Sequence, residues 1–289
     1  MDPIFEGVGT ALITPFRDDV IDYPAFGKLI DRQLAGNVGA LVVAGTTGES
    51  PTLTYEELGS LVSFAKQRIG SRVPLIAGCG ANCTSRACEL ARVAVSAGAD
   101  ALLAVTPYYN KTSDSGLILH YRAICSAAGR PVLVYNVPSR TGLRLTMDHY
   151  RALAEMDGIV GVKEASGDLS LLDALVCEFG DRLAIYTGND DQIVSSMRLG
   201  ARGVISVYSN LYPAETSDLC SLCLAGDFPA ASVLHRALLP GIRALFCEVN
   251  PIPVKYVASR LGLCLPEYRL PLCPPSPTAQ ATLDAIFGK

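Results

Sequence analysis

The chain has 289 residues, of which 49% are hydrophobic, and a formal net charge of −4 from 24 Lys and Arg against 28 Asp and Glu. That length allows one or two domains with ample core, and the composition is that of an ordered globular chain. The acidic balance argues against a nucleic-acid or anionic-membrane surface. No apolar run reaches the ~18 residues of a membrane span, and MDPIFEGVGT lacks the basic and apolar parts of a signal peptide, so a cytoplasmic protein is expected.

Short apolar runs alternate with longer amphipathic stretches. Strands are predicted at Val8–Ile13, Ala40–Val43, Pro74–Ala77, Ala101–Val105, Val132–Tyr135, Ile159–Lys163, Leu183–Tyr186 and Gly203–Ser206. Helices are predicted between and after them, at Tyr23–Ala35, Tyr55–Ile69, Ser85–Ala97, Ser115–Ala127, Thr146–Glu155, Leu169–Phe179, Asp191–Leu199 and Pro213–Leu224. Gly36, Gly98, Gly180 and Gly200 follow four of these helices, where a left-handed residue is expected. Eight β/α units imply a parallel sheet, and their number and length fit a closed (β/α)8 TIM barrel over residues 1–226. An open doubly wound sheet is the alternative, but TPFRDD after the first strand lacks its glycine fingerprint. After Gly226 the strands stop. Phe228–Val249, Pro253–Leu263 and Thr278–Phe287 read as helices split by the turn Cys273–Pro277, giving a small C-terminal helical appendage over 227–289.

Ten cysteines without a signal peptide read as reduced thiols rather than disulfides. Cys220 and Cys223 form a CxxC inside a helical apolar pattern, and no second pair or histidine completes a zinc set. His120, His149 and His235 are scattered, so no metal site is indicated.

A barrel places its chemistry at the C-terminal ends of its strands. Those ends are polar here: GTTGES from Gly45, TPYYNK from Thr106, YNVPSRTG from Tyr135, GVKEASGD from Gly161 and TGND from Thr187. Lys163 stands at the end of a run buried on both faces, and a buried lysine favours the neutral, nucleophilic amine. Pairing with Glu164, or a reach to the surface, is the plain alternative. Two hydroxyls and several backbone N–H groups in GTTGES suit a small carboxylate. Together these residues read as an imine-forming site for a small oxo-acid. Lys163 attacks a ketone, and the resulting imine acidifies the neighbouring C–H to give an enamine that attacks an aldehyde. Tyr135, one strand away, is the candidate acid/base, with Thr46 and Tyr109 available to relay protons. No cofactor is required.

These strings, with NPIPVK from Asn250, follow one another through nearly the whole chain, which resembles the 4-hydroxy-tetrahydrodipicolinate synthase (dihydrodipicolinate synthase) family of Schiff-base, class I aldolase-type lyases. The resemblance implies condensation of pyruvate with L-aspartate-4-semialdehyde in lysine and diaminopimelate biosynthesis. It makes Lys163 the Schiff-base residue and Tyr135 the proton donor and acceptor. Thr46 and Tyr109 complete a relay, with Tyr109 reaching in from a neighbouring subunit of a homotetramer. Thr47 and Ile205 are implied to hold pyruvate, Arg140 to bind the aldehyde substrate's carboxylate, and Gly188 to line the pocket. Family members inhibited by lysine carry an acid a helical turn past the asparagine matching Asn82, and a histidine nearby. This chain has Arg86 and Tyr55 there, so weak or absent lysine feedback is expected.

Sister aldolases share the lysine and tyrosine: N-acetylneuraminate lyase, keto-deoxy sugar-acid aldolases and 4-hydroxy-2-oxoglutarate aldolase. Arg140 separates them, because a guanidinium fork suits a second carboxylate and a polyol tail asks for neutral partners. A catalytically silent regulatory barrel is the remaining reading, and the intact Lys163, Tyr135, Thr46 and Arg140 speak against it.

Overall fold

A computed structural model describes residues 2–288; Met1 and Lys289, at the outer ends of the two predicted regions, lie outside the described residues. Eight parallel strands close into a barrel: β1 Gly7–Ala11, β2 Ala40–Val43, β3 Leu75–Gly78, β4 Ala101–Val105, β5 Val132–Asn136, β6 Ile159–Glu164, β7 Ala184–Thr187 and β8 Gly203–Ser206. Each strand pairs with its neighbours in sequence, and β8 returns to β1, so the open-sheet alternative is excluded. Ends differ from expectation by a residue or two. Lys163 in particular is the penultimate residue of β6, and Glu164 is the last.

The helices outside the barrel are α1 Tyr23–Ala35, α2 Tyr55–Ile69, α3 Thr84–Ser96, α4 Asp114–Ala128, α5 Met147–Ala154, α6 Leu169–Phe179, α7 Ile193–Arg198 and α8 Pro213–Leu224. Their starts are set by side-chain caps: Asp22 on α1, a Thr54–Glu57 capping box on α2, and Asp168 on α6. The glycine expectation holds at Gly98 and Gly200, with φ of +105° and +106°. It fails at Gly36 and Gly180, whose φ of −87° and −58° any residue adopts. Two elements not legible in the sequence are a four-residue helical turn at Pro138–Thr141, which carries Arg140, and a hairpin that pairs Phe16–Arg17 with Val20–Ile21. Asp18 and Asp19 form its two-residue turn with positive φ, a conformation aspartate tolerates better than most residues.

Strand alternation sorts the apolar side chains into two layers. Val132, Val134, Ile159 and Val162 face the helices, while Leu133, Tyr135, Tyr186 and Ile205 fill the barrel interior. The β5–β6 pairing contains a bulge, with Val132 opposite Ile159 but Leu133 opposite Gly161. The extra residue, Val160, resets the alternation of β6. Val162 and Glu164 then face outward and Lys163 faces the interior, directly across from Tyr135.

Beyond residue 226 come α9 Phe228–Ala244, α10 Ile252–Arg260 and α11 Pro277–Phe287. Helix α9 packs on α8, and α11 packs on both α9 and α10. The segment after α9 also reaches the barrel mouth. Lys255 forms an ion pair with Glu49, and both side chains are wholly buried. The ammonium lies over the rings of Phe16 and Tyr268, at 4.4 and 5.2 Å from their centroids. The other Glu49 carboxylate oxygen accepts the Arg269 N–H at 3.1 Å. Thus GTTGES and NPIPVK, some 200 residues apart in the chain, are joined by a charge pair that water does not reach.

Candidate active site

Lys163 is 6% exposed, and its Nζ lies 4.4 Å from the centroid of the Tyr135 ring. Glu164 is not its partner, because consecutive residues of a strand point to opposite faces. That carboxylate accepts hydrogen bonds from Asn136 Nδ2 (2.9 Å), the Tyr150 hydroxyl (2.7 Å) and the Ser166 N–H (2.7 Å), all on the helix side. The plain reading of Lys163, as half of a local ion pair, is therefore wrong for this fold.

Gly188 makes room for the lysine. A Cβ there would lie 2.8 Å from Lys163 Cε and 2.6 Å from Ala165 Cβ, both too close for real atoms. The loop after β7 also carries Asp190, which is buried. Its Oδ2 accepts the N–H groups of Val207 (2.9 Å) and Tyr208 (3.1 Å), joining the mouths of β7 and β8. Burial pushes this carboxyl up, against the hydrogen bonds it accepts and the charge of Lys163.

Beside Tyr135 opens a cavity of about 230 Å³. Thr46, Tyr108, Tyr135 and Arg140 line it, together with Gly45 and Thr141. Lys163, whose Nζ is 4.4 Å from the centroid of the Tyr135 ring, is not itself among the residues that line it. Thr47 is buried and its Oγ1 accepts a hydrogen bond from Asn250 Nδ2 at 3.0 Å. Arg140 donates from Nη2 to the Asn250 carbonyl at 3.1 Å. One residue of the C-terminal region thus touches both carboxylate-binding candidates. Ile205 is fully buried within the barrel interior.

Tyr109 stands apart. It is 89% exposed, with φ of +70°, on the loop after β4. Within one chain it does not join Thr46 or Tyr135, and no hydrogen bond links those two to each other among the described residues. Asn250, Asp190 and the Glu49–Lys255 pair were given no role from sequence. Asn250 and Lys255 belong to NPIPVK, but their partners are 110 to 206 residues away, beyond the reach of any local pattern.

A closed parallel barrel with a buried strand-end lysine against a tyrosine ring defines an enzyme class able to carry amine chemistry on carbonyls. The profile described as the Dihydrodipicolinate synthetase family matches residues 4–289, and the chain belongs to that family. It is 47% identical over 281 residues to the 4-hydroxy-tetrahydrodipicolinate synthase of Exiguobacterium sibiricum, covering 97% of this chain and 96% of the relative. Over 271 residues it is 44% identical to that of Alkaliphilus oremlandii, covering 94% and 93%. Among solved structures, dihydrodipicolinate synthase from Aquifex aeolicus superposes with a TM-score of 0.95 at 39% identity, covering 98% of this chain and 97% of that one. The Thermotoga maritima structure gives 0.96 at 38%, covering 99% and 98%.

Proposed function

We propose that this protein is a lyase that condenses pyruvate with L-aspartate-4-semialdehyde to 4-hydroxy-tetrahydrodipicolinate, the activity its relatives are named for. The observation that carries the reading is the inward Lys163 amine against Tyr135, with Glu164 turned to the opposite face. The Lys163 amine adds to the pyruvate ketone and water leaves, forming a C=N bond. The methyl group then loses a proton, and the enamine carbon attacks the aldehyde. The second substrate's own amine displaces Lys163 from the imine carbon, which closes the ring and frees the enzyme. Tyr135 gives and takes the protons, and Thr46, on the same cavity wall, passes them outward. Thr47 and the backbone near Ile205 hold the pyruvate carboxylate. Arg140 holds the carboxylate of the semialdehyde, and Gly188 keeps the path of Lys163 clear.

Tyr109 belongs to the same proposal as a residue of the neighbouring subunit, in a homotetramer built from tight dimers. Its exposure in one chain and its left-handed backbone suit a side chain held out for a partner. The chain divides into a barrel, residues 1–226, that supplies the chemistry and a helical region, 227–289, that braces the mouth through Asn250 and Lys255. A reducing, cytoplasmic setting fits ten cysteines that are all unpaired. No helix among the described residues is long and apolar enough to cross a membrane. Lysine inhibits weakly or not at all, because Arg86 repels its ammonium.

Borohydride reduction in the presence of pyruvate, followed by peptide mass mapping, tests the chemistry. A pyruvate-derived adduct is expected on Lys163 and absent from Lys163→Ala; an adduct elsewhere, or none, refutes it. Aspartate semialdehyde is expected to outcompete sugar aldehydes as second substrate, and Arg140→Leu to abolish that preference.

A further inference from the structure

The loop after β7 and the turn after β8 meet at one carboxylate. Asp190 opens the short 3-10 turn Asp190–Gln192, just past Gly188, and its side chain is buried. Its Oδ2 takes two successive N–H groups, those of Val207 and Tyr208, which begin the turn that follows β8. Successive N–H groups aimed at one point form an anion-binding concavity, and here the chain fills it with its own side chain. The loop that carries Asp190 is itself held from two sides. Gly188 donates its N–H to the Glu164 carbonyl at 2.7 Å, which ties the loop to the strand of Lys163. His235 of α9 donates from Nε2 to the Asp190 carbonyl at 3.1 Å. The turn after β8 is tied on its far side as well. Asn210 accepts the Ile13 N–H at 3.0 Å and donates to the Ala11 carbonyl at 2.7 Å. Asp190 thus links the surroundings of Lys163 to the backbone that leaves Ile205 and Ser206.

We propose that Asp190 is a positioning residue for the keto-acid substrate: its carboxylate holds the turn after β8 so that the backbone near Ile205 meets the pyruvate carboxylate. The inference rests on the proposed condensation and adds to it a residue that acts through Ile205 rather than on the substrate. By filling the concavity, Asp190 also denies it to the substrate's own carboxylate, which free N–H groups so close to Ile205 would attract. Loss of the acceptor leaves two buried N–H groups unpaired and the turn free to shift, while Lys163, Thr47 and Arg140 remain.

The test is borohydride trapping of pyruvate on Lys163 at graded pyruvate concentrations, with steady-state kinetics alongside. Asp190→Ala is expected to raise the half-saturating pyruvate concentration and the KM for pyruvate about tenfold, the weight of a charged acceptor lost from buried donors. The kcat at saturating pyruvate and the KM for the semialdehyde should change by no more than about twofold. Asp190→Asn keeps an oxygen in place for both N–H groups and should stay within about threefold of the unaltered protein. Asp190→Glu keeps the charge but shifts the oxygen by a methylene, and should be impaired like Asp190→Ala. A purely structural loss lowers the folded fraction, and with it kcat, without moving KM. Asp100, directly before β4 on the opposite face of the barrel, is the matched control. Its Oδ2 accepts the Leu75 N–H and the Lys66 ammonium, each at 2.8 Å. Asp100→Ala should lower the thermal midpoint and leave the KM for pyruvate unchanged. An unchanged half-saturation in Asp190→Ala, or Asp190→Asn impaired as much as Asp190→Ala, overturns the proposal. Should Asp190→Ala fail to fold, the Asn and Glu variants decide it: equal half-saturation in the two overturns it. No adduct in the unaltered protein would instead refute the condensation itself, and this inference with it.

Discussion

Gly188 shows how one missing carbon positions the candidate catalytic amine of Lys163. Its α-carbon sits where any Cβ would collide with the Lys163 side chain at 2.8 Å. Gly188→Ala must therefore push the amine away from its place against Tyr135. Near-attack geometry is sensitive to displacements of an ångström, which cost about a hundredfold. The rate of borohydride-trapped adduct formation with pyruvate is expected to fall by roughly that factor, with the fold retained by circular dichroism. Lys163 is also the residue at which local reading came closest to misleading. Its neighbour in sequence, Glu164, is an obvious ion-pair partner on paper, and the pleat makes that pairing impossible.

At the scale of elements, the bulge in β6 decides which face the lysine takes. Gly161 permits it: a Cβ there would lie 2.4 Å from the Ala184 carbonyl oxygen and 2.8 Å from Leu133 Cδ2. Gly161→Ala is expected to destabilise the protein by about 1–3 kcal/mol, the usual penalty of overpacking, seen as a lower midpoint in urea. It should also cut adduct formation, because strain in the bulge shifts Lys163. Between helices, His120 of α4 bonds Thr84 at the start of α3 at 2.9 Å and is buried. Burial holds the imidazoles of His120 and His235 below their ordinary 6.5. A depressed folded value means that the stability is fully present above the unfolded value and is lost as pH falls through the folded one. Thermal melts should therefore show the midpoint falling as pH drops below about 6.5. His120→Gln with His235→Gln should flatten that slope, and an unchanged slope would count against the assignment.

The whole molecule is braced by contacts that span it. The Glu49–Lys255 pair fixes the GTTGES loop from the C-terminal region, and losing one partner strands the other charge in the interior. Lys255→Met alone is expected to cost about 3–5 kcal/mol in denaturant unfolding, and Glu49→Leu combined with it markedly less. At the level of assembly, Tyr109 and Lys163 are expected to act across subunits. Lys163→Ala and Tyr109→Phe, each impaired alone, should regain activity when co-refolded, since one site of each mixed dimer then carries both native residues. Failure of co-refolded protein to exceed the separate variants would place Tyr109 outside the neighbour's site.

Taken by itself, the sequence determined the eight β/α units, their order, the helical C-terminal region and the polar rim that holds the candidate residues. Those features rest on hydrophobic period and turn chemistry, which act over a few residues and are therefore legible along the chain. Tertiary structure alone decided the inward face of Lys163, because an inserted residue in β6 resets alternation only when β5 lies beside it. It likewise decided the tie from Asn250 to Thr47 and Arg140, and the burial of Lys255 against Glu49. Such pairings depend on which distant segments the closed barrel brings together, and close packing, rather than any local preference, selects them.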